Sequence, residues 1–509
     1  MMDDKGFWAL NNCESADRLD IPDLSWPAFR RALLDGVAQG GRVSALFGTP
    51  DRAGSVNLIA VLADSDTAKL HVTSTRLTRD EFPSLTPECP QVHLFEREIA
   101  EQFGIRPQGH PWFKPVRFTL SRWPGHDAWG RSGAAPPTVG SMDFYRVEGE
   151  EIHQVAVGPV HAGVIEPGHF RFQCHGERVF HLEISLGYQH RGVERALLGG
   201  PNKRTIHYLE TLAGDTTIGH TTAYCQALEA LANCRPSLRA QILRGIALEL
   251  ERLANHTGDL GALAGDVGFL PTASFCGRLR GDFLNATAAI CGSRFGRGLV
   301  RPGGVRFDLD AARAHDMKGK LTAALKDTAG AARLLWDTAS VQARFEQTGS
   351  VSPEDAAAIG MVGPAARACG LHMDVRHDFP SGMFRFAQIP VSTVSSGDVF
   401  ARAYIRGLEI QRSGEFILRK LEALPPGPLR QPVGDLRRSA LVVSMLEGWR
   451  GEICHVALTD AQGHFAAYKV VDPSFHNWYG LALALRDQQI FDFPLCNKSF
   501  NLSYCGHDL

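Results

Sequence analysis

A segment rich in Gly, Pro, Ser and Trp, from about Thr119 to Asp143, has no hydrophobic periodicity and interrupts a chain of 509 residues. Such a composition favours turns and linkers over helices or strands. A chain of this length also exceeds what one hydrophobic core usually supports. The sequence therefore predicts a first domain over residues 1–118, a linker over 119–150 and a second domain over 151–509.

The two predicted domains differ in their hydrophobic patterns. The first has apolar runs at Ser55 to Leu62 and Lys69 to Val72 among amphipathic stretches, which predicts a small α+β domain. The second begins with alternation between His153 and Glu183, which predicts strands. From Ala223 onward, apolar residues recur at helical spacing, so we expect a mainly α-helical domain with short β-sheets at its ends.

Specific breaks and turns bound these predicted elements. The tripeptide Arg235-Pro236-Ser237 marks a helix start. Further helices are predicted over 311–343, 353–368 and 399–421, and β-structure is predicted over 455–458 and 466–471. The segment after Gln489 is predicted to be a structured strand or loop.

Composition excludes several classes of protein. Hydrophobic residues make up 44% and charged residues 21% of the chain, and the net charge is −2, so neither a nucleic-acid partner nor a disordered tail is expected. The eleven cysteines have no CxxC spacing and are odd in number, which indicates reduced thiols in the cytoplasm. No apolar run reaches the roughly 18 to 20 residues of a spanning helix, so membrane attachment would require partner subunits.

Several sequence segments resemble two subunits of respiratory complex I. The run FEREIAEQFGIRPQGHP is similar to the 30 kDa subunit signature. The runs GPVHAGVIEPGHFRF and GERVFHLEISLGYQHRGVERAL resemble the opening of the 49 kDa subunit and of formate-hydrogenlyase-type (hydrogenase-3/4-like) large subunits. The runs ELERLANHTGDLGAL, RPGGV, GPAARACGLHMDVR and GDVFARAYIR follow in that family's order. The resemblance implies a fusion of both subunit types with the nickel-iron hydrogenase large-subunit fold.

The four positions at which the resemblance implies metal-binding cysteines hold other residues. A nickel-iron centre requires four soft thiolates. The residues at these positions are Ala213, Thr216, Ser474 and Asn477. A methyl group, two hydroxyls and an amide cannot replace thiolates, so no nickel-iron centre and no hydrogenase activity are expected.

The resemblance implies a role in a membrane-bound complex. The chain is expected to support electron transfer from an iron-sulfur partner subunit to a quinone-like acceptor, with no directly bound cofactor other than a possible quinone. The implied partners are a complex I 20 kDa-like iron-sulfur subunit, a ferredoxin-like subunit and antiporter-like membrane subunits. The implied location is cytoplasmic, peripheral on the inner side of the membrane. The alternative is a non-catalytic scaffold, which a cavity packed shut by Phe475 and Trp478 would favour.

Four residues are candidates for proton transfer at such a site. His161, Glu166 and His169 lie in the predicted loop that, by resemblance, reaches the quinone cavity, and histidines and carboxylates are usual proton carriers. They could equally cap a surface hairpin. Asp215 lies between two of the cysteine positions, and the sequence slightly favours it as an N-cap of the following helix. The tyrosine that binds quinone in complex I aligns with Gly214.

The sequence contains two further sets of polar residues that bear on function. Tyr188, His190 and Arg191 belong to a turn that, by resemblance, faces the partner's iron-sulfur cluster, and an interface or intrachain ion pair is the open alternative. A second group shares one face of a predicted helix and is interpreted as a polar stripe between packed helices. Its members are Glu249, Arg252 and His256.

Overall fold

A computed structural model describes residues 6–51, 54–123, 125–131, 135, 137–161 and 165–509. The architecture is mixed, with helices and several small sheets, as predicted. No helix within these described ranges is long and apolar enough to cross a membrane.

The first part of the chain forms a sheet flanked by two helices. Its strands and helices are β1 (Trp8–Leu10), β2 (Ser15–Asp17), β3 (Asp23–Leu24), α1 (Trp26–Ala38), β4 (Arg42–Pro50), β5 (Val56–Asp64), β6 (Lys69–Leu77), β7 (Glu81–Pro83), α2 (His93–Phe103) and β8 (Arg106–Gln108). The strand order is β1-β6-β5-β4, with β3 parallel to β6. Because β5 is central and almost wholly buried, it is the continuous apolar run seen in the sequence.

The described residues between positions 119 and 150 contain no helix or strand. A small antiparallel sheet follows, and then a helical region begins. These elements are β9 (Ile152–Val157), β10 (His169–His175), β11 (Arg178–Ser185), α3 (Val193–Leu197), α4 (Thr205–Glu210), α5 (Thr217–Leu231), α6 (Leu238–Asp266), α7 (Leu270–Cys291), β12 (Val300–Arg301) and β13 (Gly304–Val305).

The remaining helices and a final sheet complete the chain. They are α8 (Ala311–Trp336), α9 (Ala339–Phe345), α10 (Pro353–Ala358), α11 (Gly363–Ala368), α12 (Val375–Asp378), α13 (Val399–Glu422), β14 (Ala440–Gly448), β15 (Gly451–Thr459), β16 (Phe465–Val471), α14 (Pro473–Ala484), α15 (Phe493–Phe500) and α16 (Tyr504–Asp508). The segment after Gln489 is thus helical, and its prediction as a strand or loop is wrong.

Helix α6 is the central helix of this region. It begins as predicted, because the Ser237 hydroxyl accepts a hydrogen bond from the Ala240 N–H. Its apolar face packs against α7 and α13. Polar residues of the same helix reach the last sheet, so α6 links the helical core to the site described below.

The last sheet joins the two parts of the chain. Its order is β16-β15-β14-β2, so a strand from near the N-terminus pairs with β14, with Leu441 opposite Ala16. The rings of Phe95 and Phe475 pack 5.1 Å apart across the same core. The bounds 1–118 and 151–509 remain a prediction. In space, residues of both parts share one hydrophobic core, and residues 170–509 form a larger core of their own.

Candidate functional site

The first two cysteine positions lie where the chain enters α5. Ala213 and Thr216 are buried, and the Ala213 carbonyl accepts the Thr216 N–H at 2.8 Å. The Thr216 hydroxyl lies 3.1 Å from Trp449 Nε1, which donates to it, and 3.1 Å from Asp215 Oδ1. The Arg450 guanidinium also donates to the Thr216 hydroxyl, at 3.3 Å, so protein groups occupy the hydrogen-bonding positions of this side chain.

The other two cysteine positions lie on α14 and also have structural partners. The Ser474 hydroxyl accepts the Ser503 N–H at 2.8 Å. The Asn477 amide accepts the Val362 N–H at 2.9 Å and donates to the Val362 carbonyl at 3.0 Å. These residues do not fit a nickel-iron centre, because their hydrogen-bonding atoms serve the backbone and supply no thiolate. Among the described residues, no group of three or more His, Cys, Asp or Glu side chains is placed to hold a metal ion.

Between these positions, Asp215 forms a bidentate ion pair with Arg450. Arg450 Nη1 and Nη2 donate to the two carboxylate oxygens at 2.7 and 2.8 Å. Burial alone would raise the pKa of Asp215, but the Arg450 guanidinium holds it below its ordinary value. The prediction that Asp215 caps α5 is wrong, because Thr216 occupies the cap position and the Asp215 carboxylate binds Arg450 instead.

Arg450 is fixed by its position in a tight connection between two strands. Gly448 and Gly451 bound the turn from β14 to β15, and Gly451 approaches Gly363 so closely that a Cβ there would lie 2.7 Å from the Gly363 Cα. The guanidinium stacks on the Trp449 ring at 3.9 Å and donates to the Asn501 carbonyl at 2.5 Å. The Asp215 side chain keeps 33% of its surface exposed and that of Arg450 keeps 5%, so solvent reaches the pair mainly at the carboxylate.

A buried acid lies directly behind this pair. The Glu251 carboxylate accepts the N–H groups of Ile218 and Gly219, at 2.7 and 3.1 Å, in the first turn of α5. The pKa of Glu251 is raised to about 8. Burial is the largest cause, the two hydrogen bonds act against it, and the charge of Asp215 adds to the increase. Glu251 is therefore a buried group that binds a proton at neutral pH.

Glu166 lies close to Cys505 in the C-terminal helix α16. Its carboxylate interacts with the thiol of Cys505, which also feels the charge of Asp215. Burial, followed by the Glu166 charge, raises the pKa of Cys505 to about 12. The charges of Glu166 and Asp215 thus both act on Cys505 in α16.

The two histidines of the same loop bind the hairpin backbone. His161 Nε2 lies 2.9 Å from the Gly168 carbonyl, and His169 Nδ1 lies 3.2 Å from the Gly158 carbonyl. Burial lowers the pKa of His169. Residues 162–164, at the tip of this predicted loop, lie outside the described residues.

The turn containing Tyr188, His190 and Arg191 contacts α16. His190 Nδ1 lies 2.8 Å from the Asp508 carbonyl. The Arg191 guanidinium donates to four carbonyls, which belong to Gln189, Thr211, Leu212 and Cys505. Tyr188 is half-buried, and burial raises its pKa. Arg191 thus joins the loop before Asp215 to α16 through hydrogen bonds to backbone carbonyls.

The polar stripe of α6 lies between packed helices, as interpreted from the sequence. In the structure it is part of a buried charge network. Arg252 pairs with Glu249 at 3.0 Å, and His256 pairs with Glu409 at 2.8 Å. The other members are Arg367, Asp374, Arg376 and Glu447. The network fixes the packing of α6, α13 and β14.

Sequence reasoning did not identify Arg450 and Glu251 as residues of this site. The signal for Arg450 was weak, because only the glycines on either side of Trp449-Arg450 indicate a tight turn. Glu251 occurs one position from the polar stripe, and its link to the start of α5 exists only in three dimensions.

Comparison with known proteins agrees with this architecture. Residues 26–129 match the family model described as the 30 Kd subunit of respiratory-chain NADH dehydrogenase, and residues 266–439 match that of the 49 Kd subunit. The chain is 28% identical to formate hydrogenlyase subunit 5 of Escherichia coli over 489 residues, covering 92% of this chain and 85% of the relative.

Two further relatives represent the neighbouring branches. Hydrogenase-4 component G of Escherichia coli is 26% identical over 438 residues, which are 84% of this chain and 76% of the relative. The D 1 subunit of NADH-quinone oxidoreductase from Chloroherpeton thalassium is 30% identical over 306 residues, which are 60% of this chain and 68% of the relative.

The fold and the site define an oxidoreductase-type large subunit without thiolates at the metal positions. The chain belongs to the family that unites formate-hydrogenlyase-type hydrogenase large subunits with the D-type subunits of NADH-quinone oxidoreductase, as a fusion of the 30 kDa and 49 kDa types.

Proposed function

We propose that this chain, with the nickel-iron hydrogenase large-subunit fold, supports electron transfer from an iron-sulfur partner to a quinone-like acceptor without a nickel-iron centre. It acts in a membrane-bound complex, on the cytoplasmic side, with 20 kDa-like, ferredoxin-like and antiporter-like partners. The carrying observation is the partly exposed Asp215–Arg450 pair at the metal position, backed by the proton-binding Glu251.

The pair suits the chemistry of a quinone headgroup. Quinone reduction consumes two protons, and its oxygens gain negative charge that a guanidinium stabilises. In this proposal Arg450 supplies that charge, and the protons are carried by Asp215 and Glu166, the two carboxylates whose charges both act on Cys505. A Cβ at Gly214 would meet open space among the described residues, so neighbouring side chains leave room for a ligand there.

A second candidate, the non-catalytic scaffold, is favoured by the packing of α14. Phe475 and Trp478 are both 3% exposed, and Trp478 packs against Tyr504 with 4.8 Å between ring centroids. In this function the chain docks the iron-sulfur subunit and couples it to the membrane subunits, and no acceptor binds.

The two candidates are separated by an Asp215→Asn variant in the complex purified with its partners. Electron transfer from the chemically reduced complex to a short-chain ubiquinone is measured by absorbance. We expect the variant to lose at least tenfold in rate, because an amide keeps the shape of Asp215 but neither balances Arg450 nor carries a proton.

The matched control is Asp460→Asn, which changes a partly exposed turn residue between β15 and β16. It should keep the wild-type rate. An assembled Asp215→Asn complex with the wild-type rate would contradict quinone chemistry at this pair, and the absence of quinone reduction in the wild type would support the scaffold.

A further inference from the structure

Four side chains behind Arg450 are joined into one continuous hydrogen-bonded row. Asp472 Oδ2 lies 3.0 Å from His220 Nε2, His220 Nδ1 lies 3.1 Å from His455 Nε2, and His455 Nδ1 lies 3.0 Å from Tyr468 Oη. All four are at most 4% exposed. They come from α5, β15, β16 and the start of α14, so only the tertiary fold assembles the row.

One set of protonation states gives every hydrogen bond of this row the same direction. Asp472 also accepts the Ser474 N–H, and although burial would raise its pKa, His220 and Arg450 lower it, so it is an ionised acceptor. With His220 as a neutral imidazole, which the proposal below requires, His220 donates from Nε2 and accepts at Nδ1, because a neutral imidazole has one donor and one acceptor. His455 then donates from Nε2, and the Tyr468 hydroxyl donates to His455 Nδ1. Every donor points towards Asp472.

Neither His455 nor Tyr468 carries charge at rest. Burial holds the pKa of His455 well below its ordinary value, and burial raises the pKa of Tyr468 well above its ordinary value. The titratable groups that face the Tyr468 end are Tyr224, Cys225 and Cys454. The negative charge of the row is thus confined to Asp472.

The charges around Arg450 do not balance. Its guanidinium faces the carboxylates of Asp215, Asp472 and Asp259, and Asp259 has its own partner in Arg406 at 2.7 Å. Two carboxylates therefore share one guanidinium in a largely buried place. Any further negative charge near Arg450 favours the uptake of a proton by one of them.

We propose that Tyr468, His455, His220 and Asp472 form a one-proton relay that compensates the negative charge gained near Arg450 when the partner subunit's iron-sulfur cluster takes up one electron. This rests on the proposed electron transfer. On reduction, the Tyr468 proton moves to His455 Nδ1, the Nε2 proton of His455 moves to His220 Nδ1, and the Nε2 proton of His220 moves to Asp472. A solvent proton restores the Tyr468 hydroxyl. Reoxidation reverses each transfer, so the original tautomers return without ring rotation.

The solvent side of this relay lies beyond Tyr468. The Tyr224 ring is 6.3 Å from the Tyr468 ring, and its hydroxyl interacts with Thr205. Thr205 Oγ1 accepts the N–H of Asn202, which is exposed in the loop before α4. We infer that the proton from solvent enters on this side, where Tyr224 and Thr205 lie between Tyr468 and the exposed Asn202.

The test counts protons taken up when the purified complex is reduced with limiting dithionite, using a pH-indicator dye. Tyr468→Phe keeps the ring but removes the hydroxyl, and it should take up one proton fewer per reduced complex than the wild type. The matched control Tyr404→Phe, on α13 beside Trp336, should take up the wild-type number. Equal uptake in an assembled Tyr468→Phe complex overturns the relay.

A second measurement does not depend on electron transfer to quinone. Nitrogen NMR of the oxidised, histidine-labelled complex should show His220 and His455 as neutral Nε2–H tautomers, with signals assigned by His220→Gln and His455→Gln variants. An Nδ1–H tautomer at either residue overturns the relay. If the tautomers and the proton uptake match these expectations while quinone is not reduced, the relay is supported and the proposed function is wrong.

Discussion

Arg450 binds both carboxylate oxygens of Asp215, at 2.7 and 2.8 Å, in the place where the family's metal ligands would lie. The two residues are 235 positions apart in sequence and meet because β14 and the start of α5 pack together. The charged pair contacts Thr216, one of the four positions at which the family resemblance implies a cysteine, and its two charges stabilise each other.

A double-mutant cycle measures how strongly this pair is coupled. Asp215→Asn and Arg450→Gln should each lower the free energy of unfolding by about 1 to 3 kcal/mol, because each leaves a partly buried charge unpaired, with a discount for the exposed side of Asp215. The double variant should lose less than the sum of the singles. Urea unfolding measures all four proteins, and additive losses would contradict a direct pair.

Glu251 makes stability depend on pH. Its folded pKa of about 8 lies above its ordinary value, so the folded state binds more protons than the unfolded state between about pH 4.5 and 8. The stability it contributes is full at low pH and is lost as pH rises through 8, with a slope of up to about 1.4 kcal/mol per pH unit.

The Glu251→Gln variant should flatten this slope. Urea midpoints at pH 5.5, 6.5 and 7.5 are compared with those of the wild type and of Glu346→Gln, an exposed control on the same chain. An identical slope in Glu251→Gln and the wild type would show that Glu251 has an ordinary pKa.

Gly506 makes room for the Asp472 carboxylate. A Cβ at position 506 would lie 2.6 Å from Asp472 Cγ, so Gly506→Ala must displace that carboxylate and weaken its bond to His220. We expect a loss of stability of about 1 to 3 kcal/mol. The matched control Gly214→Ala meets open space among the described residues and should be neutral within about 0.5 kcal/mol. Thermal unfolding compares the two, and equal stabilities would be contrary to this expectation.

Asn477 acts as a backbone clamp where the family resemblance places a cysteine. Asn477→Ala should lower stability by about 1 to 3 kcal/mol, because the Val362 N–H and carbonyl lose both partners in a buried place. The matched control is Asn285→Ala, which changes an exposed residue of α7 and should leave stability within about 0.5 kcal/mol of the wild type. Chemical denaturation measures both variants, and equal midpoints would identify Asn477 as a dispensable side chain.

Metal analysis tests the interpretation of the four cysteine positions. The complex purified with its partners should contain iron, from iron-sulfur clusters, and no stoichiometric nickel. Elemental analysis against protein concentration gives both numbers. One nickel per chain would mean that Ala213, Thr216, Ser474 and Asn477 are not the equivalents of the ligands.

Local patterns in the sequence determined much of the secondary structure. Ser237 starts α6, the apolar runs form β5 and β6, and α13 begins at Val399 as its periodicity predicts, because capping and periodicity act over a few neighbouring residues. The helical tail was missed, since its aromatic and apolar residues are buried by distant elements that the local pattern does not contain.

The sequence also identified the family and the absence of thiolates at Ala213, Thr216, Ser474 and Asn477, because residue identity at matched positions is a property of the chain itself. Only the tertiary structure decided what Asp215 does. Alone it is a reasonable helix cap, but packing brings Arg450 within hydrogen-bond distance, and a bidentate ion pair in a poorly hydrated place is stronger than a cap. The same packing joined His220 to His455 and Asp472, because hydrogen bonds between distant residues depend on the fold.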